Sequence, residues 1–383
     1  GAGGTVPDFP FILDKEQDEM INADYPESIL LTSIAVGRMW ACYEAFHVSK
    51  LWQANDAPPV YRQAFVTANT VLRAQVSSSF ESMKNSSQSL RALPLRTWKE
   101  GEGYPATFEG LPNECFPLFL KQTEFLQMLD GLLPEPFWAR REDGSLLGDL
   151  HRRFHEQEGM LEDIPLDDDY SSGSEAGEEA GEEAGGNQRG GGGGGRAGGN
   201  AGRERRVVDY QMFLDELWSK IAKSKPEAKE LSPANLFQEI HSYIKGSQMA
   251  LLCPSGKLSR EEYLKLPAKM APAFQGLGAK ESLDDLPGNK RGNRDLVYDL
   301  FELYEEHRLR LNAYDLPDVI FNLWSRLDKY PLATLPLETM FVDETQDFTQ
   351  AELSLFVRVC ADKNSMFFSV MDSDEDCAKK LIE

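Results

Sequence analysis

Cysteine, histidine, positive charge and long apolar runs are what this chain has least of. The five cysteines (Cys42, Cys115, Cys253, Cys360 and Cys377) are scattered without a Cys-x-x-Cys spacing. That excludes a zinc ribbon or a dithiol redox motif and reads as reduced thiols of an intracellular protein, nuclear or cytoplasmic. Of the five histidines, His151 and His155 would share a helix face at i, i+4. Arg152 and Arg153 lie between them and no third ligand is evident, so a solvated basic face is a better reading than a metal chelate. No apolar run approaches the roughly eighteen residues that a membrane-spanning helix needs, so no membrane partner is expected. The balance of 40 Lys and Arg against 63 Asp and Glu gives a net charge of −23. Bulk electrostatics of that sign does not grip nucleic acid, although it says little about a local groove. The start, Gly1-Ala2-Gly3-Gly4, has neither a Met nor a basic-then-apolar signal pattern, and reads as a piece of a longer chain.

What is present is a chain of 383 residues, 41% hydrophobic, long enough for a substantial core. Its most informative stretch is Met340-Phe341-Val342-Asp343-Glu344-Thr345-Gln346-Asp347. A strand-forming apolar run ends there in two adjacent carboxylates. A parallel strand delivers acids in this way to the carboxyl edge of an α/β sheet, where ligands bind. Asp343 could hold Mg²⁺ directly or through water, Glu344 could orient or deprotonate a water that attacks a phosphate, and Gln346 could sense the γ-phosphate. A solvated loop after a core strand is the competing reading of the same eight residues.

Along the chain, residues 1–80 read as strand, helix, strand, helix. The expected elements are a helix capped by Asp14 with Gln17 at its third position, strands at Ser28–Thr32 and Gln63–Thr67, a helix from about Met39 to Trp52, and a helix capped by Asn69 with Val71, Leu72, Gln75, Val76 and Phe80 on one face. Residues 81–165 lose the strand pattern, carry Pro94, Pro105, Pro112, Pro117, Pro134 and Pro136, and read as loops with room for a β-segment and one helix near 118–130. Residues 166–206 combine an acidic block with the glycine tract Gly190 to Gly195; such a segment buries too little apolar surface to offset its ordering entropy and reads as a disordered linker. Residues 207–330 are helical by period: Tyr210 to Ile221, Ser232-Pro233 to Gly246, a capping box at Ser259 to Glu262, a loop from Gly276 to Gly292, then Leu296 to Leu311 and Leu316 to Leu327. Residues 331–383 return to strands at 340–342 and Met366–Val370.

This order of elements resembles the first RecA-like domain of superfamily 1 helicases of the UvrD/Rep type, and in particular the helicase-like region of large TPR-and-ankyrin-repeat-containing proteins. Tyr25-Pro26-Glu27-Ser28-Ile29-Leu30-Leu31 looks like the strand entering that family's P-loop, and Phe65 to Leu72 looks like its motif Ia. Ile244-Lys245-Gly246-Ser247, Leu258 to Leu264 and Val297 to Phe301 look like its helical insertion, and Val342 to Ala351 like Walker B and the following helix. The resemblance covers nearly all of the chain apart from 166–206. It implies an α/β fold, a RecA-like P-loop NTPase domain whose parallel sheet is flanked by helices and carries a large, mainly helical insertion. Its cofactors would be ATP and Mg²⁺. Its partners would be single-stranded DNA or RNA and a second RecA-like domain that lies outside this chain. By the same resemblance Asp343 coordinates Mg²⁺, Glu344 is the catalytic base and Gln346 couples the γ-phosphate to motion. Gln17 reads adenine, Gly37 and Arg38 stand in the P-loop, Asp372 stands in motif III, and Thr67 and Asn69 approach a single strand.

Two segments depart from the pattern. The P-loop needs Gly-x-x-x-x-Gly-Lys-Ser/Thr, so that backbone N–H groups cradle phosphates, Lys balances their charge and the hydroxyl reaches Mg²⁺. Here the chain reads Thr32-Ser33-Ile34-Ala35-Val36-Gly37-Arg38-Met39, with Arg38 at the lysine position and Met39 at the hydroxyl position. Arg38 keeps the charge in a longer, planar group, and Met39 is no Mg²⁺ ligand. In motif III, Met371 replaces Gly and Glu375 replaces Gln beside the matching Asp372. The expected function is therefore the ATP-binding core of a UvrD-like helicase; a catalytically impaired pseudo-helicase acting as a scaffold or interaction module is the alternative.

Overall fold

The computed structural model describes residues 30–32, 62–86, 105–147, 205–266, 290–361 and 367–369. The sequence-expected helices at Asp14 and at 39–52, the His151/His155 pair and all but the last two residues of the 166–206 linker lie outside them.

Among the described residues the frame is a five-stranded sheet, every paired neighbour of which is parallel. In chain order its strands are β1 (Leu30–Thr32), β2 (Gln63–Thr67), β3 (Leu118–Lys121), β6 (Thr339–Val342) and β7 (Phe367–Ser369). In space the order is β1-β7-β6-β2-β3. Every residue of β2, β3 and β6 is buried, which is why these strands read as continuous rather than alternating apolar runs. Phe65 sits opposite Phe119 on one side and Phe341 on the other. Because the strands are parallel, their carboxyl ends share one edge.

The sequence reading of one helix over 118–130 is corrected here. Leu118–Lys121 is a strand, and helix α2 begins only at Gln122 and ends at Asp130. Four apolar-rich residues fit either period; pairing of Leu118 to Lys121 with Ala64 to Thr67 decides between them. Helix α1 (Thr70–Ser86) is where the sequence puts it, but its buried face is narrower. Leu72, Val76 and Phe80 are buried, with the Phe80 ring 5.4 Å from Phe119, whereas Val71 is 59% exposed and Gln75 is exposed too.

A second core is helical. Helix α3 runs through Tyr210–Met212, Phe213–Trp218 and Ser219–Ser224, its middle widened into a π turn. Asp209 caps it, accepting from the Met212 N–H at 2.6 Å. Helix α4 runs through Pro233–Glu239 and Ile240–Ile244, again ending in a π turn, with Ser232 as its cap and Pro233 in the first turn. Short α5 (Gln248–Leu252) and α6 (Arg260–Leu264) come next, the latter with the Ser259/Glu262 capping box legible in the sequence. Helix α7 (Lys290–Arg310) starts inside the stretch expected to be a loop up to Gly292. Phe213, Leu217, Ile221, Ile240, Phe301 and Tyr304 form the centre of this core. The residues 207–330 are not all helical: β5 (Ala313–Tyr314) pairs in parallel with β4 (Arg206–Val207), so Arg206 of the expected linker is in a strand. Helix α8 (Leu316–Lys329) puts Val319, Ile320, Leu323 and Leu327 into the sheet core, not the helical one.

Glu239 lies inside the helical core with its Oε1 accepting the Tyr263 hydroxyl at 2.7 Å. Burial outweighs that hydrogen bond and the nearby Arg294, and pushes its carboxyl up to about 7. A folded-state value above the ordinary 4.5 means that the acid favours folding while protonated, and that this contribution disappears as pH rises from 4.5 through 7. Glu239→Gln is therefore expected to flatten the fall of unfolding free energy between pH 5 and pH 8 by on the order of 2–3 kcal/mol, read by urea titration at both pH values. An unchanged pH slope would remove Glu239 as its origin.

Candidate functional site

The acidic turn grows out of β6. The Asp343 N–H donates to the Val66 carbonyl of β2 at 3.0 Å, the last ladder-like bond before the chain leaves the sheet. Asp343 is 1% exposed, and its Oδ1 accepts the Glu344 N–H at 3.1 Å. Glu344 takes a left-handed backbone, φ 53° and ψ 53°, at a residue with a Cβ. Such a conformation costs on the order of 1 kcal/mol or more for a side-chain-bearing residue and collects at functional turns. The next few residues hold it in place. The Asp347 N–H donates to the Glu344 carbonyl at 2.9 Å, closing the 3₁₀ turn Thr345–Asp347 that contains Gln346. Phe348 then packs on Phe356, ring centroids 5.4 Å apart, and Thr349 starts helix α9 (Gln350–Val359).

Around this turn the carboxyl edge is polar and buried. Thr67, at the end of β2, is 0% exposed, and its hydroxyl oxygen accepts the Asn69 N–H at 3.2 Å. Asn69 is half-buried and caps α1 through Oδ1, which accepts the Leu72 N–H at 2.8 Å. Of these two sequence-predicted residues, Asn69 is the one with surface to offer a ligand. Glu352 is 1% exposed; its Oε2 accepts the Thr349 N–H at 2.6 Å and its Oε1 accepts the Gln122 amide of α2. Burial pushes the Glu352 carboxyl up to about 7 against those hydrogen bonds. Glu124 accepts the Lys121 N–H at 2.8 Å and has Arg73 of α1 at 3.7 Å.

The structure thus brings Asp343, Glu344, Gln346, Thr67 and Asn69 to one edge. Gln17, Gly37, Arg38 and Asp372 lie outside the described residues. The strands that precede three of them do end at this edge: Thr32 of β1 is opposite Ser369 of β7, and Phe368 of β7 is opposite Val342 of β6. Lys121, Gln122, Glu124 and Glu352 are edge residues that sequence reasoning misses. Glu352 has a signal, the Thr349-x-x-Glu352 capping pattern. The other three are hidden because the residues of β3 fit a helical period as well as an extended one.

Among the described residues no group of three or more His, Cys, Asp or Glu could hold a metal by itself. One buried carboxylate at a strand end is a donor set that suits Mg²⁺, which takes one or two protein carboxylates and fills its octahedron with water and phosphate oxygens.

No family profile matches the chain. The chain is similar to TPR and ankyrin repeat-containing protein 1 of Homo sapiens, 31% identical over 314 residues. The match covers 80% of this chain and 9% of that protein, so the chain corresponds to a small part of its homologue's length.

Proposed function

We propose that this chain is a nucleotide-binding core of the UvrD-like helicase type, with its ATP site at the carboxyl edge of the sheet. The observation that carries the reading is the position of Asp343-Glu344 at the end of a buried parallel strand, separated from β1 by the single strand β7. Neighbouring strands are about 4.8 Å apart, so the ends of β1 and β6 lie about 10 Å from each other, a gap a triphosphate can bridge. The homology to a TPR and ankyrin repeat-containing protein supports the part of the sequence likeness that points to such proteins.

In this reading Asp343 would hold Mg²⁺, which supplies charge neutralisation at the β- and γ-phosphates. Glu344 would orient the attacking water and accept its proton. Its left-handed backbone sets the direction in which the side chain leaves the turn. Gln346, two residues on in the same turn, would report the γ-phosphate to α9. Asn69 would contact a single strand laid along the carboxyl edge. Motion along a strand would need closure against a second such domain.

Asp343→Ala is expected to weaken Mg²⁺-dependent binding of a fluorescent ATP analogue by about tenfold or more, with the melting profile retained. Wild-type protein that binds no nucleotide at millimolar concentration would overturn the proposal. The second reading, a pseudo-helicase that acts as a scaffold, is favoured by Arg38, Met39 and Glu375 in the sequence. It expects no turnover of ATP, and steady release of phosphate by the wild type would exclude it.

A further inference from the structure

The turn at Lys245-Gly246-Ser247 is built more firmly than a surface connection needs to be. The Lys245 ammonium is buried, at 2.6 Å from Asp315, 2.8 Å from Asp318 and 3.3 Å from Glu305. Those three carboxylates come from α7 and from the start of α8. Gly246, next in the chain, is pressed from two sides. A Cβ added there would lie 2.0 Å from the His241 carbonyl oxygen and 3.0 Å from the Thr349 Cγ2. The Gly246 carbonyl accepts the N–H of Ala351 at 2.8 Å, in the first turn of α9. The Gln248 N–H donates to the Gln350 side chain at 3.4 Å. A helix begins with N–H groups that have no partner inside it. Here the helical core, through Gly246, satisfies one of them, in the helix directly after the acidic turn.

We infer that Lys245 to Gln248 is the joint by which the helical part of the chain positions the acidic turn, with Lys245 and Gly246 as positioning residues for Asp343 and Glu344. The path is short. Gly246 holds Ala351, and Thr349 and Glu352 hold each other across the first turn of α9. Between that turn and Glu344 lie only the 3₁₀ turn and Phe348. Neither end of this path is soft: Lys245 is anchored on three carboxylates, and Phe348 is buried against Phe356. A displacement of the helical part would therefore move the first turn of α9, and with it the backbone that keeps Glu344 left-handed. The same joint works in reverse, since a coupling between two sites is reciprocal. The catalytic meaning of the joint rests on the nucleotide-site reading; its mechanical meaning does not.

Both are tested on the full chain with Gly246→Ala. Hydrogen exchange of peptides spanning residues 345–353, read by mass spectrometry, is expected to quicken by about tenfold or more, because the Asp347 and Ala351 amides lose their held acceptors. Melting is expected to fall as well, because the added Cβ meets the His241 backbone carbonyl, so the local effect is read as the excess of exchange at 345–353 over that of peptides from β2 and β3. Mg²⁺-ATP binding should weaken by about threefold to tenfold. If Gly246→Ala does not fold, Gln350→Ala, which removes only the acceptor of the Gln248 N–H, is expected to give a smaller acceleration in the same peptides. Exchange at 345–353 that matches the wild type in the folded variant overturns the joint. Faster exchange with unchanged Mg²⁺-ATP affinity overturns its role at the nucleotide site. A wild type that binds no Mg²⁺-ATP refutes the proposed function instead, and the exchange result alone then decides the joint.

Discussion

Replacing Lys245 by Met is expected to lower the unfolding free energy by about 3–5 kcal/mol, the range for breaking a buried ion pair by removing one partner. The methionine fills much the same space, so the loss is electrostatic. In the wild type three cations, Lys245, Arg308 and Lys257, face three carboxylates, Glu305, Asp315 and Asp318. The Tyr304 hydroxyl donates to Asp315 at 2.8 Å. Burial works to raise the Glu305 carboxyl, but Lys245 and Arg308 override it and hold the group down at about 2. Asp315 is likewise held well below the usual carboxylate range, against burial, by Lys245 and then His241 and Arg308. Asp318, beside it, is raised by burial and by the Asp315 charge. Burial drives the His241 imidazole down to about 4, so in the wild type it is neutral at pH 7. The depressed carboxylates contribute stability above their ordinary values and lose it as pH falls towards 2. Lys245→Met should therefore be most damaging at neutral pH, with a drop in melting temperature on the order of 10 °C. A loss below about 1 kcal/mol in urea titration would mean that the network behaves as a solvated one.

The second large effect is expected at Asp130, the last residue of α2. It is 0% exposed and serves as a hub. Its Oδ1 accepts the Phe137 N–H at 2.7 Å and the Arg326 guanidinium of α8; its Oδ2 accepts from Arg140 at 3.1 Å and from the Trp138 N–H at 3.4 Å. One carboxylate thus ties α2, the loop after it and α8 together beside the sheet. Asp130→Ala leaves two buried guanidiniums without their anion and two N–H groups without their acceptor, which should cost about 3–5 kcal/mol. Asp130→Asn keeps the shape and some of the hydrogen bonds but drops the charge. If the ion pairs dominate, Asn should be nearly as damaging as Ala; if the backbone bonds dominate, Asn should sit close to wild type. Chemical denaturation of the three proteins separates these outcomes, and an Ala variant within about 1 kcal/mol of wild type would show that the hub carries little stability.

The contrast between these two clusters and the acidic turn shows where the sequence is readable. Gln63-Ala64-Phe65-Val66-Thr67 and Met340-Phe341-Val342 announce themselves as strands because burial on both faces leaves few polar residues to break the run. Ser259 and Glu262, and Asn69 before α1, mark helix starts because capping is satisfied within four residues. Asp343 and Glu344 are placed at a strand end by the same local logic. Lys121, Gln122 and Glu124 are not, since Leu118 to Leu120 gives no period and the pairing that makes it a strand comes from β2, far away in the chain. Asp130, Lys245 and Asp315 look like ordinary solvated charges in the sequence; their partners are brought in from other helices, and no local pattern encodes that.

The sequence by itself therefore determined most of the element types, the caps at Asn69, Ser232 and Ser259 and the delivery of two acids to a strand end, since each depends on a few neighbouring residues and on burial pattern. Tertiary structure alone decided the strand order β1-β7-β6-β2-β3, the membership of α8 in the sheet core, and the pinning of Gly246 on Ala351. Those features are contacts between segments far apart in sequence, whose free energy comes from surfaces that meet only once the chain has folded.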